Sequence, residues 1–352
     1  MTTENDRPLS THASTAEHAL DTPLSRVMRW IVRFRMLLVL AILVVAATVL
    51  TGGLFARPDN LVNVARQISF EALIAFGMTL IIVTGGIDLS VGSLVALMGV
   101  AAAVTMQSTP ATWAPAIRIA CGLATGVGLG AVFGAASGGI VARFSIPPFI
   151  TTLAAMLIAR GLAFIACGGQ PIYEGLPESL IVLGRGFVLE GAIGRVLPVP
   201  VVVMGVGFAC FHMLLSRTVF GRSVIAVGSN EEAARLSGIA VGRTKLMVYV
   251  LTGATCGIVG VLQDGKLMAA DPRIGDMWEL NIIAAVVVGG TSLFGGRGTI
   301  AGTLVGALII GVLNNSLNLL HVEHFWQKVV LGSVILLAAM LDVGLSRLGR
   351  RC

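Results

Sequence analysis

The stretch MLLVLAILVVAATVLTGGLF, residues 36–55, runs for twenty positions without a charge. About 20 helical residues rising ~1.5 Å each cover the ~30 Å hydrocarbon core of a bilayer, so this run reads as a membrane span. It exceeds the roughly 7–15 apolar residues of a cleaved signal peptide, and Arg26, Arg29, Arg33 and Arg35 precede it, as expected for an uncleaved first span. The rest of the chain has the same character: of 352 residues 56% are hydrophobic, 12% are charged and 6% are aromatic, with a mean hydropathy of +0.92. Soluble domains average about 25% charged residues, which excludes a soluble enzyme and a disordered chain. A porin-type barrel is excluded too, because its strands alternate apolar and polar residues. The expected fold is all-α, a polytopic transmembrane helical protein.

Charges, prolines and glycines divide the apolar sequence into ten candidate spans: 36–56, 68–84, 90–106, 117–142, 149–167, 199–215, 246–263, 280–289, 299–319 and 327–343. An even number returns the C-terminus to the side of the N-terminus. With both termini cytoplasmic, fifteen of the 24 Lys and Arg fall inside and eight outside, Arg160 lying within a span. That bias agrees with the positive-inside rule. The expected organisation is a cytoplasmic tail (1–35), a transmembrane domain (36–345) that includes the 216–245 loop, and a short cytoplasmic tail (346–352). Two loops are long: an outward one at 168–198 and an inward, charge-dense one at 216–245.

Soluble chemistry is missing. The net charge of +6 comes from residues at segment ends rather than from a basic face interleaved with aromatics, so nucleic acid is not an expected partner. The five cysteines are scattered, without a CxxC pair. Residues 260–267 read GxxxxGK, but Leu267 stands where a phosphate loop needs Ser or Thr, and the segment ends an apolar helix. Neither HExxH nor GxSxG occurs, and no cofactor or metal is expected.

What the spans do contain is glycine and a few polar groups. Residues 85–92 (GGIDLSVG) and 289–296 (GGTSLFGG) both fit GGxxLxxG, each between two apolar segments, 204 residues apart. Read as a repeat, they make two pseudo-repeated halves with matched helix breaks at Gly85, Gly86 and Gly92 and at Gly289, Gly290 and Gly296; read as coincidence, they are two glycine-rich turns. Broken helices are tolerated in a membrane only where the freed backbone is buried or lines a cavity, which makes these glycines gating candidates. Gly122, Gly126, Gly130, Gly134 and Gly138 form a GxxxG ladder that lets helices approach closely. Asp88 either caps the following helix or meets substrate. Arg160 is expected to pair with Asp88 or with a carbonyl. Asn314, Asn315 and Asn318 either face a polar pathway or bind helix to helix.

The inward loop carries NEEAARLSG, residues 230–238, in which Ser229 or Asn230 can cap a short helix and Gly238 can end it. Its EAAxxxG pattern resembles the coupling motif of ABC importer permeases. GMTLIIVTGGIDLSVGSLVAL (77–97), FITTLAAMLIARGLAF (149–164), TVFGRSVIAVGSNEEAARLSGI (218–239) and IAAVVVGGTSLFGGRGTIAGTLVGALIIGVLNNSLNLL (283–320) resemble the ribose-type monosaccharide permeases. The resemblance implies a homodimeric permease that receives a monosaccharide from a periplasmic sugar-binding protein and is driven by a cytoplasmic ABC ATPase. It implies a coupling role for Glu232, Ala233, Ala234 and Gly238, and a pathway role for Asp88, Asn314, Asn315 and Asn318. A branched-chain amino acid or a nucleoside as the solute, or an ion-coupled secondary carrier, are the alternative readings.

Overall fold

The computed structural model describes residues 23–191 and 194–349. Ten helices coincide with the ten apolar stretches: α1 (Pro23–Leu50), α2 (Pro58–Val83), α3 (Val91–Ser108), α4 (Pro115–Phe144), α5 (Pro148–Ala166), α7 (Val199–Arg217), α10 (Val241–Leu267), α11 (Trp278–Val288), α12 (Ile300–Leu319) and α13 (His324–Gly349). Prolines at the first or second helical position start α2, α4, α5 and α7, where a missing N–H costs nothing. Seven of the helices, α2, α3, α4, α5, α7, α10 and α12, are long and apolar enough to cross a membrane.

The two long loops are more ordered than their composition suggests. The 168–198 loop folds into a short helix, α6 (Leu180–Arg185), and an antiparallel pair of β1 (Phe187–Gly191) and β2 (Gly194–Pro198). The 216–245 loop contains α8 (Val219–Ser229) and α9 (Glu231–Leu236), and α10 starts within it at Val241.

Burial sorts the helices into layers. Within their most apolar windows α2, α3 and α10 are 83%, 72% and 67% buried, whereas α4, α5 and α7 are 22% or less, so the first three form the core and the others face outward. The glycine ladder accounts for the tightest pairing. Side chains built on Gly130 and Gly134 of α4 would collide with the carbonyls of Gly253 and Tyr249 on α10, and one on Gly126 would sit 3.2 Å from that of Gly257. Only a bare backbone permits this approach, and the descending α4 numbers against ascending α10 numbers show that the helices are antiparallel.

The packing has an internal symmetry. α10 contacts α4 and α3, as α2 contacts α12 and α11; α3 packs on α4 and α5, as α11 packs on α12 and α13. Each pairing maps onto the other when α2–α5 is matched with α10–α13. Gly77 faces Thr252 while Phe70 faces Lys266, so α2 and α10 run antiparallel and the halves are inverted. This matching differs from the one read from GGxxLxxG. The counterpart of the 84–90 break is 268–277, between α10 and α11. The 289–296 break corresponds instead to the turn between α3 and α4.

Candidate coupling and translocation site

α9 is a short helix with both ends chemically closed. The Asn230 backbone is extended and its side-chain oxygen accepts the Ala233 N–H at 2.9 Å, satisfying a donor the helix cannot. At the other end Gly238 has a φ of +80°, and the Gly238 and Ile239 N–H groups return to the Arg235 and Ala234 carbonyls, each at 3.0 Å. This is a glycine-dependent Schellman stop. Ala234 is buried against Val227 and Val241, fixing α9 to α8 and α10, while Glu232, Ala233 and Gly238 are exposed. Two further residues of this helix escaped the motif reading. Glu231 binds Lys245 of α10 at 2.7 Å and Arg235 at 3.2 Å, and Leu236 leaves 84% of its surface exposed. An exposed leucine between charges is a feature that sequence periodicity over six residues does not reveal.

The glycine motifs converge on the base of this helix. The Gly296 N–H donates to the Val83 carbonyl at 2.9 Å, at the end of α2 where Gly85 turns the chain with a φ of +80°. Gly228, the penultimate residue of α8, lies so close to both that an added Cβ would meet the Val83 oxygen and stand 2.7 Å from the Gly296 nitrogen. Gly86 backs onto Tyr249, and Gly289 abuts Gly302 at the start of α12. Sequence-distant breaks are thus one backbone junction, three residues before the start of α9. Thr84, Gly85, Gly86, Asn230, Glu231, Lys245 and Tyr249 line a cavity of about 390 Å³ beside it.

Between Gly86 and α3 the chain is neither helix nor strand, with Asp88 and Ser90 buried and Ile87 and Leu89 half-buried. Asp88 is 3% exposed and its Oδ1 accepts from the backbone N–H and the hydroxyl of Ser90, at 2.8 and 2.6 Å. The carboxylate therefore occupies the start of α3, where a negative charge complements the helix dipole.

α11 has eleven residues, about 16 Å at ~1.5 Å each, half of a bilayer core. Its C-terminal Gly289 lies against Gly302 near the start of α12. Gly92 of α3 touches the backbone of Gly275 just before that turn. Arg160 of α5 holds this re-entrant segment, donating from Nη1 to the Pro272 and Ile274 carbonyls at 2.6 and 2.8 Å. Of the two partners considered for Arg160, the carbonyl is the one found. Asp271, Asp276 and Glu279 act on Arg160 electrostatically, and Asp276 and Arg273 are exposed. The starts of α3 and α11 and a charged cluster thus occupy one place.

Asn314, Asn315 and Asn318 lie at the other end of α12, more than about 20 Å from its first residue by helical rise. Asn315 and Asn60 exchange amide hydrogen bonds at 3.0 and 3.1 Å, joining α12 to α2. Asn318 accepts from Gln327 at 2.8 Å and is exposed, and Asn314 is half-buried.

Comparison with known proteins decides what this architecture belongs to. Residues 60–339 match the family described as the branched-chain amino acid transport system / permease component. The chain belongs to this permease family. It is 42% identical to the ribose import permease protein RbsC of Escherichia coli (strain K12) over 89% of this chain and 94% of that one. With RbsC of Bacillus subtilis (strain 168) the identity is 44%, covering 86% and 90%. With the L-arabinose transport system permease protein AraH of Escherichia coli (strain K12) it is 36%, covering 88% and 90%. No solved structure matches. The permease is a multi-pass protein of the inner membrane.

Proposed function

We propose that this permease is the membrane subunit of an ABC importer that carries a ribose-like monosaccharide inward by ATP-driven alternating access. The carrying observation is the backbone junction at the base of α9. A force on α9 reaches Gly228 within three residues, and from there the end of α2 and the 289–299 segment. Through those it reaches both inverted halves. A cytoplasmic ATPase that binds α9 better in one arrangement than the other shifts the permease between them. Glu232, Ala233 and the exposed Leu236 present the docking face, and Ala234 and Gly238 hold its shape.

The translocation path, in this reading, passes the starts of α3 and α11. Exposed charges within a membrane are costly against acyl chains, so the face bearing Asp276 and Arg273 lines water or meets protein. A second copy of the permease against that face gives a homodimer with the path between the copies, ten crossings in each copy and cytoplasmic termini. A periplasmic sugar-binding protein delivers the solute at the opposite end. Asp88 supports the path by fixing the start of α3. Asn315 and Asn318 spend their amides on Asn60 and Gln327, which favours helix joining over solute contact, and leaves Asn314 as the pathway candidate on α12.

A sugar is favoured because the ribose and arabinose permeases resemble this chain over nearly their whole length. The family description supplies the second reading, a branched-chain amino acid. The test is uptake into proteoliposomes holding the permease, its co-purified ATPase and binding protein. ATP-dependent accumulation of D-ribose or L-arabinose, abolished by Gly238→Val, is expected. Leucine accumulation with no pentose uptake would replace the sugar, and uptake that follows an ion gradient without ATP would remove the ABC assignment.

A further inference from the structure

The second glycine motif carries a side chain that the junction leaves unexplained. Phe294, in the turn between α11 and α12, leaves 70% of its surface exposed. Its backbone is nevertheless fixed. The Ser292 N–H donates to the Arg297 carbonyl at 3.0 Å and the Gly295 N–H to the Ser292 carbonyl at 3.1 Å, closing a tight turn over 292–297. Gly295 and Gly296 complete it with φ of +83° and +75°. A Cβ on Gly295 would stand 2.8 Å from the Gly228 carbonyl oxygen and 3.1 Å from that of Val83, so the residue next to Phe294 is wedged between α8 and the end of α2.

A fixed aromatic ring in water is a ready anchor, because covering it removes apolar surface from water and orders no loop. Position decides what covers it. Gly296 lies against Ser229, the residue before the Asn230 cap of α9, so that a Cβ on Gly296 would stand 2.7 Å from the Ser229 hydroxyl. Phe294 is two residues from that contact, at most about 7 Å of chain, and the six residues of α9 rise about 9 Å. Phe294 and Leu236, the 84% exposed leucine at the far end of α9, are therefore no more than about 30 Å apart. That is the width of an ordinary protein interface of ~800 Å² a side, so one partner seated on α9 reaches both. The exposed Glu231 and Glu232 beside the turn suit the polar rim of such an interface and oppose an anionic bilayer surface.

We infer that Phe294 is a second docking anchor for the cytoplasmic ATPase, entering an apolar pocket on it while α9 makes the first contact. The inference rests on the reading of α9 as the coupling helix. The two anchors flank the junction: α9 starts three residues after Gly228, and Phe294 stands two residues before Gly296. A partner holding α9 alone can swing α8 and leave the 292–297 turn behind. One that also holds Phe294 sets the separation of Gly228 and Gly296, so a change in its own shape opens or closes the junction directly. The glycines of GGTSLFGG seat the turn, and its phenylalanine is what the turn presents.

The experiment titrates the co-purified ATPase onto the permease in nanodiscs and measures uptake and ATP hydrolysis in proteoliposomes at saturating ATPase. Phe294→Ala removes a mostly exposed ring and is expected to melt with wild type. Its dissociation constant for the ATPase is expected to rise at least tenfold, as for a hot-spot side chain, and its uptake per ATP hydrolysed to fall at least threefold, with Phe294→Trp restoring both. Phe294→Trp is also a probe: the emission it adds to that of wild type should shift to the blue when the ATPase binds and stay indifferent to brominated lipid. Leu236→Ala on the same titration reads α9 separately. Weakening by Leu236→Ala with none by Phe294→Ala overturns the second anchor and leaves the coupling helix standing, whereas the reverse removes the coupling reading and keeps the Phe294 contact. Emission quenched by brominated lipid and unmoved by the ATPase means a ring seated in the bilayer, and overturns the proposal even if Phe294→Ala melts early.

Discussion

Gly228→Ala tests the junction with one methyl group. The new Cβ would stand 2.7 Å from the Gly296 nitrogen and closer still to the Val83 carbonyl oxygen, and both obstacles are backbone. A flexible side chain could swing away; two helix ends and a loop cannot do so independently. Relief therefore requires α8 to separate from α2 and from the 289–299 segment, with loss of the 2.9 Å Gly296–Val83 hydrogen bond. Overpacking of this kind costs about 1–3 kcal/mol and the hydrogen bond about 0.5–1.5, together about 2–4 kcal/mol. At ~1.4 kcal/mol per decade, the junction-closed arrangement falls in population by roughly 30- to 700-fold. Most of the buried core lies outside the junction, so the protein is expected to insert and to retain its ATPase, while uptake per ATP hydrolysed drops by at least tenfold. Gly205→Ala is the matched control, because nothing lies within 4 Å of a Cβ there. The assay is uptake and ATP hydrolysis measured on the same proteoliposomes. If Gly228→Ala couples as well as Gly205→Ala, the junction does not transmit the movement of α9.

Three further substitutions read other parts of the molecule. Asn230→Ala removes the cap of α9 and should weaken ATPase association about fivefold, for a helix loss of ~1 kcal/mol, with Asn230→Asp restoring it, as a pull-down titration would show. Asp88→Asn keeps an oxygen for the Ser90 N–H and should leave uptake within about threefold of wild type, whereas Asp88→Leu should abolish it; equal loss in both would mean that the charge, not the Ser90 hydrogen bonds, matters. Asn60→Leu and Asn315→Leu should each lower the melting temperature in detergent more than the double substitution does, because each alone strands an amide in the partner helix, with a coupling of about 0.5–1.7 kcal/mol. Retention of uptake by the double variant would confirm a joining role.

The helices were legible because span length and hydropathy are properties of local sequence. Pro58, Pro115, Pro148 and Pro200 mark helix starts that the structure places within a few residues of the apolar boundaries. The α9 cap and stop could also be read, since Asn230 and Gly238 act within their own turn. Contacts between distant residues could not. Arg160 offered two partners on equal terms, and its pairing with Pro272 and Ile274 depends on a re-entrant segment whose depth no local pattern encodes. The amide face of α12 was similarly ambiguous: Asn315 and Asn60 are 255 positions apart, and a pathway amide and a joining amide have the same periodicity. Gly228 carries no motif, because its requirement arises wholly from backbone on two other elements.

The GGxxLxxG pair shows how a correct signal can point to the wrong relation. Two similar motifs in two halves invite superposition, yet the packing matches α2–α5 with α10–α13, which places each motif opposite something else. The motifs resemble one another because they face the same problem: the chain must leave a helix, turn tightly and let foreign backbone approach. They meet at one point, where Gly296 bonds Val83 beside Gly85. The inverted symmetry instead relates the 84–90 and 268–277 breaks, which bring the starts of α3 and α11 together at the Gly92–Gly275 contact. Convergence of glycine breaks at the base of α9 and symmetry of helix breaks at the Gly92–Gly275 contact are thus separate features, linked by the 84–90 chain that begins at one and ends at the other. Asp88 stands on that chain, held to Ser90 at the α3 end. In the proposed cycle a displacement of the junction by α9 reaches α3 through residues 84–90, a segment held by the Asp88–Ser90 hydrogen bonds and by the Thr152 hydroxyl bound to the Ile87 carbonyl at 3.2 Å.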